Sequence, residues 1–306
     1  MVTGGPVRVT RAFVVVNPAA GGGRTARRWG ALAARLRRLG LEFEAVETSG
    51  RGEATELTRR AVSRGWPLVV AVGGDGTLNE VVNGLVDSAG RPLATLGAIL
   101  TGRGRDAGRN LGIAADHEAA MHRLVHGEDS LVDLGVAEWP AAPGRLFVNS
   151  AGAGFDATVA VRAASIRGPG TVPYLLGVLG ALRAHRPVPA SITLDGRLTW
   201  TGSMTMAVVA NGPHYGGGMT IAPAARPDDG CLDLIVVGHL RRAALLAWLP
   251  TVYWGAHMRS ARVTTGRGRA IEIETETPVA VHLDGEPVGT TPLRIAVRPR
   301  ALRVRR

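Results

Sequence analysis

The first 135 residues alternate short apolar runs with segments of helical periodicity, and that order limits the available folds more than any other feature. Residues 13–17, 67–72 and 94–100 are apolar runs of strand length, and residues 42–46 read as a further strand. Such runs are typical of strands buried on both faces, as in a parallel sheet. Between them, Trp29, Leu32, Leu36 and Leu39 recur at helical spacing over residues 25–39, and Gly40 follows as a helix-terminating glycine. Residues 53–63 and 77–86 predict two more helices. This alternation predicts an α/β domain with a parallel sheet and helices on both faces.

The pattern changes near Asp133. Residues 191–194, 203–210, 231–237, 270–274 and 279–283 read as antiparallel strands with turn residues between them. Helical inserts are expected at residues 172–185 and 240–257. The expected division is an α/β domain at 1–134 and a mainly antiparallel β domain at 135–306, with the last strand free to return to the first domain.

The sharpest motif is Gly73-Gly74-Asp75-Gly76-Thr77-Leu78-Asn79-Glu80, between a buried strand and a helix start. Glycines admit an anion close to the backbone, and a helix N-terminus offers free N–H groups and a positive dipole end. Asp75 beside phosphate requires a cation or a hydrogen-bond network, which points to a metal-bound triphosphate. A plain strand-to-helix turn would not need so many glycines. Asn17-Pro18-Ala19-Ala20-Gly21-Gly22-Gly23 also ends a strand, on the sheet edge where ligands of open α/β folds bind. Thr101-Gly102-Arg103-Gly104-Arg105-Asp106-Ala107 contains a dinucleotide-like string. It follows the fourth strand rather than the first, so it is not read as that fingerprint.

Glycine is abundant, 42 residues, and clusters in these loops. The net charge is +11 and all 36 basic residues are arginine. A lysine base, a Schiff base and a P-loop lysine are therefore excluded, while anionic partners are favoured. Cys231 is the only cysteine, so no disulfide can form within one chain; this fits a cytoplasmic protein. No signal peptide is read at the N-terminus, and no apolar stretch reaches spanning length, so contact with a membrane is expected to be peripheral. Residues 245–254 read as core, with Arg241 and Arg242 the one hint of an interface. No basic–aromatic interleaving supports nucleic-acid binding. His214, His239 and His257 lack metal-ligand spacing, and Ser150 lacks a nucleophile setting. Asp228-Asp229-Gly230 and Asp284-Gly285-Glu286 read, on their own, as turns beside strands.

Taken together, these residues resemble the diacylglycerol kinase catalytic-domain family, which includes bacterial lipid kinases and the sphingosine and ceramide kinases. The likeness runs over nearly the whole chain. It rests on Gly73 to Glu80 with Val81-Val82-Asn83-Gly84, on Asn17-Pro18 and its glycines, and on the stretch from Val148 to Ala157. It continues through Asn211-Gly212, Gly216-Gly217-Gly218-Met219, Ala222-Pro223, Asp228-Asp229-Gly230 and Asp284-Gly285-Glu286.

The resemblance implies a nucleotide domain followed by a β-sandwich, with ATP and Mg²⁺ as cofactors and a lipid alcohol at a membrane surface as substrate. ATP is expected on Asn17, Pro18, Gly21, Gly22, Gly23, Thr48, Gly73, Gly74, Asp75, Gly76, Thr77, Leu78, Asn79 and Glu80, with Arg103 and Asp106 nearby. Glu286 is expected as the base, supported by Asp284, with Asp75 in the network that holds Mg²⁺. A structural Mg²⁺ is implied at Asp229 with the backbone oxygens of Arg226 and Cys231. The resemblance thus turns both acidic turns from structural into functional. One departure stands out: where the family reads Leu-Gly-Thr-Gly-Asn-Asp, this chain has Thr101-Gly102-Arg103-Gly104-Arg105-Asp106. The two arginines either take the place of phosphate-binding lysines or mark an altered pocket.

Two alternatives remain at this stage. One is a soluble-substrate kinase such as NAD kinase, which shares the Gly-Gly-Asp-Gly loop. The other is a non-catalytic nucleotide or lipid sensor, suggested by Arg103 and Arg105. A homodimer is left open.

Overall fold

The structure is a computed structural model that describes residues 11–102, 105–140, 142–166 and 172–306. The chain forms two compact units, Met1–Asp133 with Arg300–Arg306, and Leu134–Pro299.

The first unit contains β1 (Arg11–Val16), α1 (Ala20–Arg38), β2 (Glu42–Glu47), α2 (Glu53–Ser63), β3 (Leu68–Gly73), α3 (Asp75–Leu85), β4 (Thr95–Leu100), α4 (Asp106–Asn110), α5 (His117–His126) and the start of β5 (Asp129–Trp139). Strands β2, β1, β3 and β4 lie side by side in that order and all pair in parallel. Near the C-terminus, Arg303 and Val304 pair in parallel with Thr95 and Leu96 of β4. Strands β3 and β4 are buried along their full length, as a sheet covered on both faces requires. The core joins Val14, Val16, Val70, Val72 and Ile99 of the sheet to Leu32 and Leu36 of α1 and Met121 and Leu124 of α5. Leu32 and Leu36 are one helical turn apart, which is the spacing that marked α1 in the sequence.

The second unit contains β6 (Ala142–Phe147), β7 (Ser150–Gly154), α6 (Phe155–Ser165), α7 (Val172–Ala184), β8 (Val188–Leu194), β9 (Arg197–Ala210), β10 (His214–Tyr215), β11 (Met219–Thr220), β12 (Leu232–Gly238) and α8 (Arg242–Trp248). Two 3₁₀ turns follow, Leu249–Trp254 and Ala256–Arg259. Then come β13 (Val263–Gly268), β14 (Ala270–Thr275), β15 (Ala280–Leu283), β16 (Glu286–Thr290) and β17 (Leu293–Arg305). The strands of this unit pair antiparallel and build a β-sandwich. Phe147, Ile192, Val209, Leu234, Ile271 and Val281 share one core, while Phe155, Met206, Ile235, Leu245 and Trp248 share a second.

The helix expected over residues 240–257 is not continuous. It ends at Trp248, and Pro250 sits in the first turn of the 3₁₀ segment that follows. Proline has no N–H for an α-helical bond. Gly255 then turns left-handed, φ 67°, and separates the two 3₁₀ turns. Among the described residues no helix is long and apolar enough to cross a membrane.

Candidate active site

In the first unit the site residues gather where β1, β3 and β4 end. Gly73 closes β3 and Gly74 is the N-cap of α3, in extended conformation with no side chain capping the helix. The first-turn N–H groups of α3 therefore keep their helix-end donor capacity. Glycine lets the backbone around this turn pack closely. A Cβ on Gly102 would stand 2.7 Å from the Gly74 Cα, and one on Gly73 would stand 2.5 Å from Thr77 Oγ1. The amides of Thr101 and Gly102 both donate to the Gly73 carbonyl, at 2.8 and 3.2 Å, so the two loops are tied backbone to backbone.

Asn17 joins the first glycine loop to this turn. Its Nδ2 donates to Thr77 Oγ1 at 2.9 Å, and its Oδ1 accepts from the Ala19 amide at 3.1 Å. Gly21, Gly22 and Gly23 follow with φ of 63°, 71° and 79°. Three successive left-handed residues would strain any side-chain-bearing sequence. The right-handed part of α1 accordingly begins just after them, as the periodicity from Thr25 indicates.

Asn17, Thr48, Arg51, Thr77 and Glu80 line a cavity of about 290 Å³. Thr48 is held there by its amide, which donates to the Val16 carbonyl at 2.8 Å. Glu80 has a structural task besides: its carboxylate accepts from the Ala54 amide at 3.1 Å and so caps α2 from a neighbouring helix. Leu78 is placed elsewhere. Its side chain is fully buried and its amide donates to the Gly74 carbonyl, so it serves the core. Asn79 is also buried and accepts from Asn83 Nδ2.

Asp75 stands in the first turn of α3, and its Oδ2 accepts from the Asp106 amide at 3.2 Å. Asp106 is buried at the start of α4, so two acidic residues meet beside the glycine turn. Such a pair of acids is suited to a bound cation or to donors that offset like charge. Arg105 precedes them in left-handed conformation, φ 56°. Its guanidinium reaches the Ala115 carbonyl at 3.0 Å. Arg103 lies outside the described residues.

In the second unit the Asp284-Gly285-Glu286 turn is heavily braced. Asp284 is left-handed, φ 50°, and its carboxylate accepts from the amides of Val148, Asn149 and Ser150 at 2.8, 2.8 and 3.0 Å. Its own amide donates to the Ser150 carbonyl at 2.9 Å. Asp284 thus anchors the loop between β6 and β7. Glu286 is half-buried, and its Oε2 accepts from Arg145 Nη2 at 2.5 Å.

A further brace comes from residues that sequence reading missed. His282 Nδ1 accepts from the Gly285 amide at 3.2 Å, which assigns the ring proton to Nε2, and Nε2 donates to Asp156 Oδ2 at 3.1 Å. Both side chains are buried over Gly152, where a Cβ would overlap Asp156 Oδ2 and His282 Nε2. Tyr215 stacks on His282 with centroids 6.4 Å apart. Burial, then the charge of Asp156, pushes the Tyr215 phenol well above its ordinary value. Gly152 within the Ala151 to Gly154 string was the one available signal for this cluster.

The turn expected to hold a structural Mg²⁺ is built around the half-buried Asp229 carboxylate. Asp229 Oδ1 accepts from the Cys231 amide at 3.1 Å, and Oδ2 pairs with Arg267. Asp229 Oδ2 is buried without a hydrogen-bond partner, with the Arg267 guanidinium against it as an ion pair, and backbone carbonyls such as those of Arg226 and Cys231 are ordinary ligands of hard cations.

The comparisons match this arrangement over nearly all of the chain. The diacylglycerol kinase catalytic domain matches residues 11–137, and the YegS C-terminal NAD kinase beta sandwich-like domain matches residues 149–306. A diacylglycerol kinase of Mycobacterium tuberculosis (strain ATCC 25618 / H37Rv) is 31% identical over 300 residues, covering 97% of this chain and 96% of the relative. The chain belongs to the diacylglycerol kinase family. A Bacillus subtilis (strain 168) diacylglycerol kinase is 28% identical over 285 residues, covering 92% of this chain and 91% of its own. The fold is shared with a diacylglycerol kinase from Bacillus anthracis str. Sterne, TM-score 0.73 at 24% identity, covering 97% of this chain and 96% of that one. It is shared more distantly with an NAD kinase from Archaeoglobus fulgidus in complex with ATP, TM-score 0.50 at 16% identity, covering 97% and 93%.

Proposed function

We propose that this diacylglycerol kinase family member is an ATP-dependent lipid kinase. It transfers the γ-phosphoryl group of Mg–ATP to a lipid hydroxyl, with diacylglycerol as the acceptor and phosphatidic acid as the product. The observation that supports this reading is the N-terminus of α3, which no side chain caps, in a turn where Gly73 and Gly102 allow close backbone packing. That is the backbone geometry that phosphate groups favour. ATP then lies along Asn17, Thr48, Thr77 and Glu80, with its phosphates at the glycine turn.

The Mg²⁺ that accompanies ATP offsets phosphate charge, and Asp75 with Asp106 is the acidic pair suited to hold it. Glu286 accepts the proton of the lipid hydroxyl as oxygen attacks the γ-phosphorus and ADP leaves. Asp284 and the Asp156–His282 pair hold the turn that carries Glu286. The work of such a site is positioning and electrostatics, which suits braced loops better than mobile ones.

The substrate class is tested by offering Mg–ATP together with diacylglycerol, other lipid alcohols and NAD in separate reactions. Phosphorylated lipid is expected. Phosphorylated NAD with no lipid product would assign the chain to soluble-substrate chemistry. ATP binding with no product from any acceptor would favour the sensor.

A further inference from the structure

Asp284 and Gly285 form a two-residue hairpin loop between β15 and β16, with Leu283 and Glu286 paired on either side of it. Both loop residues are left-handed, φ 50° for Asp284 and 83° for Gly285, as the twist of such a hairpin demands. The strand ladder of a hairpin like this leaves the two loop amides unused, so each takes a partner from elsewhere. The Asp284 amide finds one in the Ser150 carbonyl. The Gly285 amide finds one in Nδ1 of His282, three positions back along the chain, at 3.2 Å. Glu286 follows Gly285, so the bond that fixes Gly285 also fixes where the Glu286 side chain leaves the backbone.

The two partners of the His282 ring dictate its protonation. A backbone amide only donates, so Nδ1 must accept. A carboxylate only accepts, so Nε2, 3.1 Å from Asp156 Oδ2, must donate. The ring that satisfies both is neutral and carries its proton on Nε2. A second proton, on Nδ1, would set N–H against N–H and turn the Gly285 amide away.

His282 has little room to escape that conflict. It is 2% exposed, Gly152 packs against it with no space for a Cβ, and Tyr215 stacks on it at an interplanar angle of 18°. The titratable and charged groups around it are Asp156 of α6, Tyr215 of β10, and Asp284 and Glu286 of its own hairpin, with Arg145 of β6 on Glu286. Tyr174 and Tyr253 act on Tyr215 in turn. Burial raises the phenols of Tyr174 and Tyr215, so both stay uncharged near neutral pH. Asp284 holds the same turn through three amides, so losing the His282 bond would loosen Glu286 rather than melt the hairpin.

We propose that His282 is a positioning residue for the proposed base: its neutral Nδ1 holds the Gly285 amide and with it Glu286, and a proton on Nδ1 releases the turn while the protein stays folded. The proposal rests on the lipid-kinase reading, in which Glu286 is the base, and adds a proton-sensitive control to that site. Asp156 acts one step further back, by keeping the ring proton on Nε2.

The test compares His282→Asn with His282→Gln. Asparagine places an oxygen near the position of Nδ1 and can accept from Gly285, whereas the longer glutamine reaches the position of Nε2 and leaves Gly285 without its partner. Two readouts are taken on the full chain: phosphate transfer from Mg–ATP to diacylglycerol in micelles, and hydrogen exchange of the segment at residues 283–290. In His282→Gln, kcat should fall about tenfold with KM for ATP and lipid nearly unchanged, and the segment should exchange faster. His282→Asn should keep both close to wild type. It should also retain kcat at acid pH where the wild type loses it while remaining folded by circular dichroism. In the wild type alone, exchange of this segment, corrected for the intrinsic rate, should speed up reversibly from about pH 8 to about pH 5. That measurement needs no substitution, so it decides the matter even where a buried variant folds poorly. Equal kcat and equal exchange in the two variants, or a wild-type segment whose corrected exchange ignores pH, would overturn the proposal. If the wild type phosphorylates no lipid but the exchange pattern holds, the kinase reading fails and the His282 brace stands.

Discussion

Arg145 Nη2 donates to Glu286 Oε2 at 2.5 Å, joining β6 to the turn that carries the proposed base. The two residues are 141 positions apart in sequence, and each is about one-third exposed. A pair this accessible contributes less than about 1 kcal/mol to stability. Its effect should instead be on orientation. In Arg145→Gln the melting temperature should stay close to wild type, while kcat falls about tenfold with KM for the lipid nearly unchanged. A large loss of stability with kcat intact would make the pair structural.

Gly102 is the tightest point of the proposed phosphate site. In Gly102→Ala the new methyl would press on the Gly74 Cα and displace the N-terminus of α3. A shift near 1 Å at a reacting centre costs ~100-fold in rate. We expect kcat/KM for ATP to fall on that scale while circular dichroism stays native. Unchanged kinetics would place the phosphates elsewhere.

Arg105 occupies a left-handed position that asparagine fills with less strain, and asparagine is the residue in the family pattern. Arg105→Asn loses the bond to the Ala115 carbonyl, a contribution of ~0.5–1.5 kcal/mol, and regains a similar amount from relieved strain. Stability should therefore change little, and activity should be preserved or raised. A stable variant that no longer turns over ATP would give Arg105 a phosphate role of its own.

His257 donates from Nε2 to the Ile221 carbonyl at 2.9 Å and packs edge-on against Trp248. Burial pulls its pKa below the ordinary 6.5. His185 is lowered as well, by burial and then by nearby Arg242 and His239. The unfolded chain therefore binds protons more readily than the folded one below pH 6.5, and stability is lost as pH falls through that range. A melting series should show this acid loss in the wild type. His257→Gln keeps a donor but cannot titrate, so its acid slope should be shallower. Identical slopes would remove His257 from the pH response.

Much of the first unit was legible in the sequence because its signals are local. The apolar runs of β1, β3 and β4 and the spacing of Leu32 and Leu36 follow from burial on a regular lattice. The loop of Gly73 and Gly74 was legible because glycine has few other reasons to cluster there. The second unit hid more. β7 reads Ser-Ala-Gly-Ala-Gly, a composition poor in strand formers, yet it is fully buried between β9 and β15. Its Gly152 makes room for Asp156 and His282, which come together only once the sheet forms. Arg145 with Glu286 and Asp229 with Arg267 are long-range pairs with no trace in spacing. The second of these sets an arginine 38 positions away along the chain beside the turn expected to hold Mg²⁺.

The most direct test of the account is transfer of labelled γ-phosphate from Mg–ATP to diacylglycerol in mixed micelles, run for wild type, Asp75→Asn and Glu286→Gln. The account predicts labelled phosphatidic acid from the wild type and none above background from either variant, with all three proteins folded. Undiminished labelling by both variants, or no labelled lipid from a wild type that binds ATP, would contradict it.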